Sequence, residues 1–369
     1  MNYSIIDSVK GGSGKTCFSL NHALYLSNLN VSDGRIPSLY IDVDFSGTSL
    51  ETALFANPKI GTGLKEPIDD PLGFKTLKLA KKHFNSILDC EILYNELITK
   101  LEFYLKTIVS TKPVNIPIDL IISSPDYKQK QRFHGTKSNE VNISNFKYKL
   151  CCLMKKIPKT HTAGYKNIVM DMPPGGDRYA SSVYDILLSL NGDNRHIINW
   201  NDKDSKVNVF HMTTYDIAHI YATLEHVCNF YNDSNRKKLP TNIFIVVNDI
   251  FNTDDSTNSF GKRLAHSIIL EEIQKNYSSL PQVVMDKLYF IIFPFNEKYQ
   301  VAMDYTFRFT KFPSLSMNCL DIEQIYSTYA SNDSDGMVYK YYDIAKAKES
   351  DTCSAISPLG KDAIEQLFK

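Results

Sequence analysis

The chain has 369 residues, of which 43% are hydrophobic and 22% are charged, a balance typical of a globular protein and not of a low-complexity or collagen-like one. Its 41 basic and 41 acidic residues cancel, so the net charge does not favour binding to DNA or to an anionic membrane. No apolar run approaches the ~18 residues of a membrane-spanning helix. The seven cysteines are odd in number and form no C-x-x-C pair, which favours reduced thiols and a cytoplasmic location over a disulfide framework or a zinc site.

Short apolar runs alternate with helical patterns along the chain. The runs are rich in Val, Ile and aromatic residues and are mostly continuous, which is typical of strands buried on both faces of a sheet. Helical patterns over 16–29 and 215–231 lie between them. This order predicts a doubly wound α/β fold, with a mostly parallel sheet flanked by helices. The predicted strands span residues 3–9, 38–43, 119–123, 167–172, 206–212, 242–248 and 287–293.

Segments that interrupt the alternation of predicted strands and helices indicate the domain organisation. No segment is rich enough in Pro or Gly to mark an inter-domain linker, so we expect a single domain over 1–369, although the length alone would also allow two. Residues 57–117 separate the second and third predicted strands and carry a helical pattern over about 74–109. This pattern predicts a helical insertion.

Residues 320–369 form a C-terminal extension whose role the sequence does not reveal. Its last stretch, 360–369, places Ile364 and Phe368 on one helical face. Acidic residues balance the lysines of this stretch, which favours packing against the core over binding to a membrane.

The most specific motif is Lys10-Gly11-Gly12-Ser13-Gly14-Lys15-Thr16, which follows the first predicted strand and opens the first predicted helix. A strand, a glycine-rich loop and a helix in this order are the context of a phosphate-binding loop, in which backbone amides at a helix N-terminus surround phosphate. In such a loop Lys15 contacts the β- and γ-phosphates, and the Thr16 hydroxyl is a ligand of Mg²⁺. The motif predicts a nucleotide site formed by residues 10–17, the last of which is Cys17.

Carboxylates close two of the predicted strands, where a metal-dependent phosphohydrolase needs them. Asp42 and Asp44 end the second strand in the sequence DVDFSG, and Asp171 ends the fourth in DMPPG. Because the carboxyl ends of parallel strands meet at one edge of a sheet, we expect these acids to lie near the phosphate loop. Solvated loop acids and a turn after a core strand produce similar patterns, but the phosphate loop favours a metal site.

Together these motifs resemble those of the ParA/MinD family of P-loop ATPases. The loop matches that family's deviant Walker A motif, K-G-G-x-G-K-[ST], whereas Val9 stands where the general pattern G-x-x-x-x-G-K-[ST] has glycine. The resemblance implies a P-loop NTPase fold, ATP and Mg²⁺ as cofactors, slow hydrolysis, and an ATP-dependent homodimer. It also implies that Lys10 contacts the phosphates of the nucleotide in the facing subunit and that Lys10, Lys15 and Asp44 are catalytic.

The same resemblance implies roles for the remaining acids and for an adenine pocket. DVDFSG looks like the family's second acidic motif, in which Asp42 belongs to the Mg²⁺ and water shell and Asp44 orients the attacking water. DMPPG resembles its Walker B motif, in which Asp171 holds Mg²⁺ through water. Asn248 occupies the place of the asparagine that reads adenine, although a strand-end asparagine is often only a cap or turn residue. Pro294 or Phe295 would line the base pocket.

What such a switch controls is left open by the sequence. The first hypothesis is partition or positioning of DNA or of a large assembly. The second is an ATPase subunit of a defence or secretion complex, in which a protein partner reads the nucleotide state. The third is a metabolic ligase or kinase of the same superfamily, which the lack of an acceptor motif disfavours. The neutral charge disfavours strong non-specific DNA binding, and the insertion favours a specialised protein partner.

The sequence predicts a structural role for the histidines. His196, His211, His219 and His226 are scattered, and no carboxylate lies at a metal-ligand spacing from them in the sequence. We therefore expect them to be hydrogen-bonded structural residues and not metal ligands.

Overall fold

A computed structural model describes twelve parts of the chain. The described residues are 1–29, 36–44, 74–75, 99–105, 114–121, most of 143–154, 165–188, 205–232, 239–250, 280–294, 338–340 and 359–368.

The described residues form a mixed sheet with helices on both faces. Its ten strands are ordered β10-β9-β8-β7-β1-β6-β2-β5-β4-β3. The strands are β1 (Asn2–Ser8), β2 (Ser38–Asp42), β3 (Phe74–Lys75), β4 (Thr99–Leu105), β5 (Val114–Ile121), β6 (Asn167–Asp171), β7 (Lys206–Thr214), β8 (Asn242–Ile250), β9 (Leu288–Pro294) and β10 (Val338–Lys340). The helices are α1 (Lys15–Leu29), α2 (Arg178–Leu188), α3 (Ile217–Asn232), α4 (Gln282–Met285) and α5 (Lys361–Phe368).

The central strands run parallel, as the sequence predicts. β1 pairs in parallel with β6 and β7, β2 with β5 and β6, and β8 with β7 and β9. Antiparallel pairs occur only toward the two edges of the described sheet, where β4 lies between β5 and β3, and β10 lies beside β9. The predicted fold class, a doubly wound and mostly parallel sheet flanked by helices, is confirmed.

Alternate residues of each central strand pack into two separate cores. On one side, which we call the α1 face, Ile6, Tyr40 and Val169 pack with the residues of α1. On the other, the α3 face, Ile5 and Met170 pack with the residues of α2 and α3. Both faces are buried, which explains why these strands are continuously apolar in the sequence.

The strand order sets the position of the functional site. From β1 the chain crosses to β2 and β5 on one side, returns to β6 beside β1, and then continues to β7, β8 and β9 on the other side. The order therefore reverses around β1. Ligands of open α/β sheets bind at such a switch point, outside the carboxyl ends of the strands.

The helical pattern predicted over about 74–109 is wrong where the structure describes this region. β3 and β4 are strands there, and β4 pairs antiparallel with β5. The reason is visible in β4, because Leu101, Phe103 and Leu105 alternate with more polar residues at the period of a strand. The rest of 57–117 lies largely outside the described residues.

The end of the chain packs into the α1 face. Ile364 and Phe368 of α5 are buried there, and the Phe368 ring contacts His22 with centroids 5.1 Å apart. The Asn2 amide donates to the Phe368 carbonyl at 2.7 Å. The predicted core packing of this helix is confirmed.

The segment at Tyr339 adds the edge strand β10, which the sequence pattern did not predict. Within the described residues, no helix has the length and apolar character to cross a bilayer.

Candidate functional site

The candidate phosphate loop joins the end of β1 to the start of α1. Gly12 and Gly14 adopt left-handed backbone conformations, with φ of 81° and 84°. At Gly14 an added Cβ would also lie 2.5 Å from the side-chain amide nitrogen of Asn248, which would have to move aside. The glycine requirement of the motif is thus mainly a consequence of the left-handed backbone.

Hydrogen bonds from three neighbouring segments hold the loop in place. The Ser8 hydroxyl donates to the Lys10 carbonyl at 2.7 Å, and the amide of Gly175, beyond β6, donates to the Ser8 carbonyl at 2.9 Å. At the other end of the loop, the side-chain amide of Asn248 donates to the Ser13 carbonyl at 3.2 Å. The loop is therefore fixed by groups at or just beyond the carboxyl ends of β1, β6 and β8.

The two lysines of the motif differ in exposure. Lys15, at the start of α1, is only 8% exposed, whereas Lys10 and the following Gly11 and Gly12 are exposed. Thr16 is half-buried beside Lys15, and Cys17 belongs to α1. The buried Lys15 and the exposed Lys10 are therefore suited to contacts with different phosphate groups.

The predicted acids lie on adjacent strands on the α1 face. Asp42 and Asp171 are register partners at the carboxyl ends of β2 and β6, and both are buried. Asp44 is half-buried, and its backbone amide donates to Oδ1 of Asp42 at 2.9 Å. The parallel pairing thus brings together acids that are separated by about 130 residues in the sequence.

Within the described residues, one carboxylate oxygen of Asp171 accepts a hydrogen bond and the other does not. Tyr40, on β2, donates its hydroxyl to Oδ2 at 2.9 Å, while Oδ1 is buried without a hydrogen-bond partner among the described residues. Burial raises the pKa of Asp171 to about 6, against the opposing effects of Lys15 and Thr16, and the Asp44 carboxylate raises it further. Lys15 compensates this buried carboxylate only in part, and a divalent cation beside the oxygen that has no hydrogen bond would supply the remaining positive charge.

Tyr40 is a site residue that the sequence interpretation missed. Burial, followed by the charges of Asp171 and Asp42, raises its pKa well above the usual range, so its hydroxyl stays a neutral donor. The available signal was periodicity, since Tyr40 lies two residues before Asp42 and therefore on the same face of β2.

The predicted adenine pocket is described only in part. Asn248, near the end of β8, contacts the phosphate loop through Ser13, as a cap or turn residue would. Pro294 is the last residue of β9, and Phe295 lies outside the described residues. Adenine contacts by these three residues remain predictions.

A second polar cluster lies on the α3 face. Asp7 of β1 is the register partner of His211 of β7, whose Nδ1 lies 2.8 Å from Asp7 Oδ1. His226 of α3 places Nε2 at 3.9 Å from Asp7 Oδ2. The carboxylate beside these histidines is distant from His211 in the sequence, because parallel pairing of β1 with β7 joins residues 204 positions apart.

Comparison with known proteins gives weak similarities. Neither a protein-family model nor a curated protein sequence matches the chain. A solved structure of pNOB8 ParA is 12% identical, with a TM-score of 0.46 over 88% of this chain and 100% of that one. Apo McdA of Cyanothece is 13% identical, with a TM-score of 0.43 over 88% and 98%.

A putative plasmid partition protein of Borrelia burgdorferi, solved with AMPPNP, is 15% identical, with a TM-score of 0.44 over 86% of this chain and 97% of that one. Because these similarities are weak, the fold class stated above depends on the strand order and pairing of the chain itself.

Proposed function

We propose that the chain is a Mg²⁺-dependent ATPase whose nucleotide state controls its dimerisation and its binding to a partner protein. The observation that carries this proposal is the convergence of Lys15, Thr16 and the vacant Oδ1 of Asp171 at the N-terminus of α1. These groups are a buried ammonium, a hydroxyl and a carboxylate that is only partly compensated, beside a loop of backbone amides. Together they suit a bound nucleoside triphosphate and its metal ion.

Phosphate binding would depend on the loop and on Lys15. The N-terminus of α1 and the amides of the loop supply positive partial charge without mobile side chains. Lys15 is nearly buried, so its ammonium group would form a strong charge-assisted contact with the β- and γ-phosphates.

The donor set fits Mg²⁺, which prefers oxygen ligands. The Thr16 hydroxyl, Asp42 and Asp171 are the residues that would hold the ion, directly or through water. When bound, the ion would neutralise phosphate charge and so favour attack at the γ-phosphate. It would also give Asp171 the positive charge that its vacant oxygen lacks.

Asp44 would orient the water that attacks the γ-phosphate. Its amide is fixed by Asp42, while its side chain remains half-buried and therefore within reach of solvent. In phosphoryl transfer the attacking water needs orientation more than outright deprotonation, because the transition state is loose. A fixed carboxylate at the edge of the site is suited to that task.

Dimerisation would use Lys10. A second lysine beside the phosphates already bound by Lys15 would add like-charge repulsion, whereas the exposed Lys10 can reach the nucleotide of a facing subunit. The ATP-bound dimer would then bind a protein partner, in partition, positioning or assembly of a cargo. The neutral net charge makes a protein partner a better candidate than DNA alone.

Nucleotide binding is tested by calorimetry with a non-hydrolysable ATP analogue and Mg²⁺. Lys15→Ala is expected to weaken binding by more than about tenfold, because a charge-assisted phosphate contact contributes roughly 1.5–3 kcal/mol. Lys10→Ala is the matched control, a lysine of the same loop whose loss leaves binding to the monomer nearly unchanged. Equal affinities of the wild-type and Lys15→Ala proteins would exclude the phosphate-loop assignment.

The switch is tested with an Asp44→Ala protein, which should hydrolyse ATP about 10²-fold or more slowly while still binding it. Light scattering of this protein should detect a dimer in ATP and a monomer in ADP, and adding Lys10→Ala should abolish the difference. Hydrolysis at the wild-type rate would remove Asp44 from the mechanism. An oligomeric state that ignores both nucleotide and Lys10 would favour a metabolic enzyme of the same fold.

A further inference from the structure

The cluster on the α3 face brings three potential metal ligands together from three elements. Asp7 comes from β1, His211 from β7 and His226 from α3. One ligand atom from each residue lies within 4.8 Å of those from the other two. The shortest separation is 2.8 Å, between Nδ1 of His211 and Oδ1 of Asp7. One carboxylate and two imidazoles form a donor set typical of Zn²⁺ and related ions.

Two tyrosines orient these ligands from outside. The Tyr231 hydroxyl lies 3.0 Å from Nε2 of His211, and the Tyr184 hydroxyl donates to Oδ2 of Asp7. A histidine that binds metal through one nitrogen usually forms a hydrogen bond with the other, which fixes its ring and its tautomer. Without the ion, Nδ1 of His211 donates to Asp7. With the ion bound, the proton of His211 would lie on Nε2 and be donated to Tyr231, and Nδ1 would face the ion.

The distances are close to those of a tetrahedral site. Bonds of about 2.1 Å separate the ligand atoms of four-coordinate zinc by about 3.4 Å. Nδ1 of His211 lies 2.8 Å from Asp7 Oδ1, Nε2 of His226 lies 3.9 Å from Asp7 Oδ2, and the three ligand atoms all lie within 4.8 Å of one another. Displacements of up to about 1.4 Å would therefore bring them to the spacing of a tetrahedral site.

Charge and access also suit a cation. The carboxylate of Asp7 would supply negative charge to a divalent cation, and the Tyr184 hydroxyl holds its Oδ2. His211 is fully buried, whereas the side chain of His226 is 29% exposed. An ion could enter from the His226 side, and water could complete its coordination there.

We propose that Asp7, His211 and His226 bind a divalent transition-metal ion of the Zn²⁺ type, at a site separate from the nucleotide site. The ion would connect β1, β7 and α3 directly below the phosphate loop, because Ser8, the next residue after Asp7, donates to the Lys10 carbonyl. The competing interpretation is a hydrogen-bonded cluster that stabilises the fold without any metal. The two interpretations differ in whether the full-length protein binds an ion stoichiometrically through His226.

The test is titration of chelator-treated, full-length protein with Zn²⁺ and, separately, with Co²⁺, in excess Mg²⁺ and without nucleotide. Calorimetry gives the Zn²⁺ affinity, and visible absorption reports the coordination of Co²⁺. We expect one ion per chain and no thiolate-to-cobalt charge-transfer band, since no cysteine belongs to the cluster. His226→Gln and His211→Gln should each lower the affinity more than about 100-fold. Loss of a residue that only hydrogen-bonds to a metal ligand typically lowers the affinity about 10–100-fold.

Three further variants complete the design. His219→Gln changes a histidine of the same helix that bonds to Thr214, and it should leave the affinity unchanged. Tyr231→Phe should weaken binding about tenfold by removing the partner of His211. Asp171→Asn should bind Zn²⁺ like the wild type, which separates this site from the nucleotide site. Failure of the wild type to bind one ion, or equal binding by His226→Gln, would overturn the proposal and leave a structural cluster.

Discussion

Asp7 and Asp171 lie on neighbouring strands at the same edge of the sheet, but on opposite faces. Asp171 is the register partner of Ile6, the residue before Asp7, and both carboxyls are almost completely buried. Their pKa values nevertheless shift in opposite directions. Burial raises that of Asp171 to about 6, whereas the partners of Asp7 outweigh burial and lower its pKa.

The two pKa shifts differ in direction because the carboxyls have different hydrogen-bonding and charged partners, and not because one is more deeply buried. Each oxygen of Asp7 has a donor, from His211 and Tyr184, and His226 adds to their effect. Asp171 has Tyr40 on one oxygen and no hydrogen-bond partner among the described residues on the other. Lys15 favours ionisation of this carboxyl, but burial and Asp44 outweigh that effect. Similar burial therefore gives a well-compensated acid on the α3 face and an incompletely compensated acid on the α1 face, where we propose the nucleotide and Mg²⁺ to bind.

The largest expected effect that tests this comparison is loss of stability on Asp7→Asn. Removing the charge leaves two buried donors, from His211 and Tyr184, with a weaker acceptor. Because a hydrogen bond to a charged group contributes about 1.5–3 kcal/mol, the loss of both should lower the free energy of unfolding by about 3–5 kcal/mol. Because the pKa of Asp7 is lowered by folding, this contribution is present above the unfolded pKa and is lost as pH falls. Denaturant unfolding near pH 7.5, with a chelator present, measures it.

The matched control is Asp185→Asn on α2. Asp185 pairs with Lys147 at 2.7 Å, but both side chains are substantially exposed. An exposed pair contributes less than about 1 kcal/mol. If Asp7→Asn destabilised the protein no more than this control, the carboxylate of Asp7 would not be compensated as its contacts imply.

The phosphate loop and its acids could be predicted because their signals are local. Lys15 and Thr16 lie in one short motif, and Asp42 and Asp171 end strands whose apolar character marks them as parallel. The placement of both acids at one edge then follows from the architecture alone. The roles of these residues in binding and hydrolysis remain predictions.

The Asp7 cluster could not be predicted in the same way. The pairing of Asp7 with His211 depends on which strand lies beside β1, and strand neighbours are not fixed by local pattern. His226 adds a second requirement, the rotation of α3 about its axis. β4 was missed for a different reason, since its alternation covers only seven residues inside a long segment whose overall pattern predicts one helix.

A smaller effect of opposite sign is expected for Asp171→Asn in protein free of nucleotide and metal. Folding raises the pKa of Asp171 from 3.8 to about 6, so the carboxyl stabilises the fold least when it is charged. Its contribution is fully present below pH 3.8 and is lost as pH rises through about 6. With about 1.4 kcal/mol per pKa unit, ionisation at neutral pH costs up to about 3 kcal/mol.

Asparagine keeps an acceptor for the Tyr40 hydroxyl but cannot ionise. The variant should therefore unfold at a higher denaturant concentration than the wild type at pH 7.5, by up to about 3 kcal/mol, and the difference should vanish toward pH 4. Mg²⁺ with an ATP analogue should reverse the order, because only the wild type can compensate its charge by binding the ion. A variant that is less stable than the wild type at pH 7.5 would mean that Lys15 already neutralises Asp171, and the contrast between the two faces would disappear.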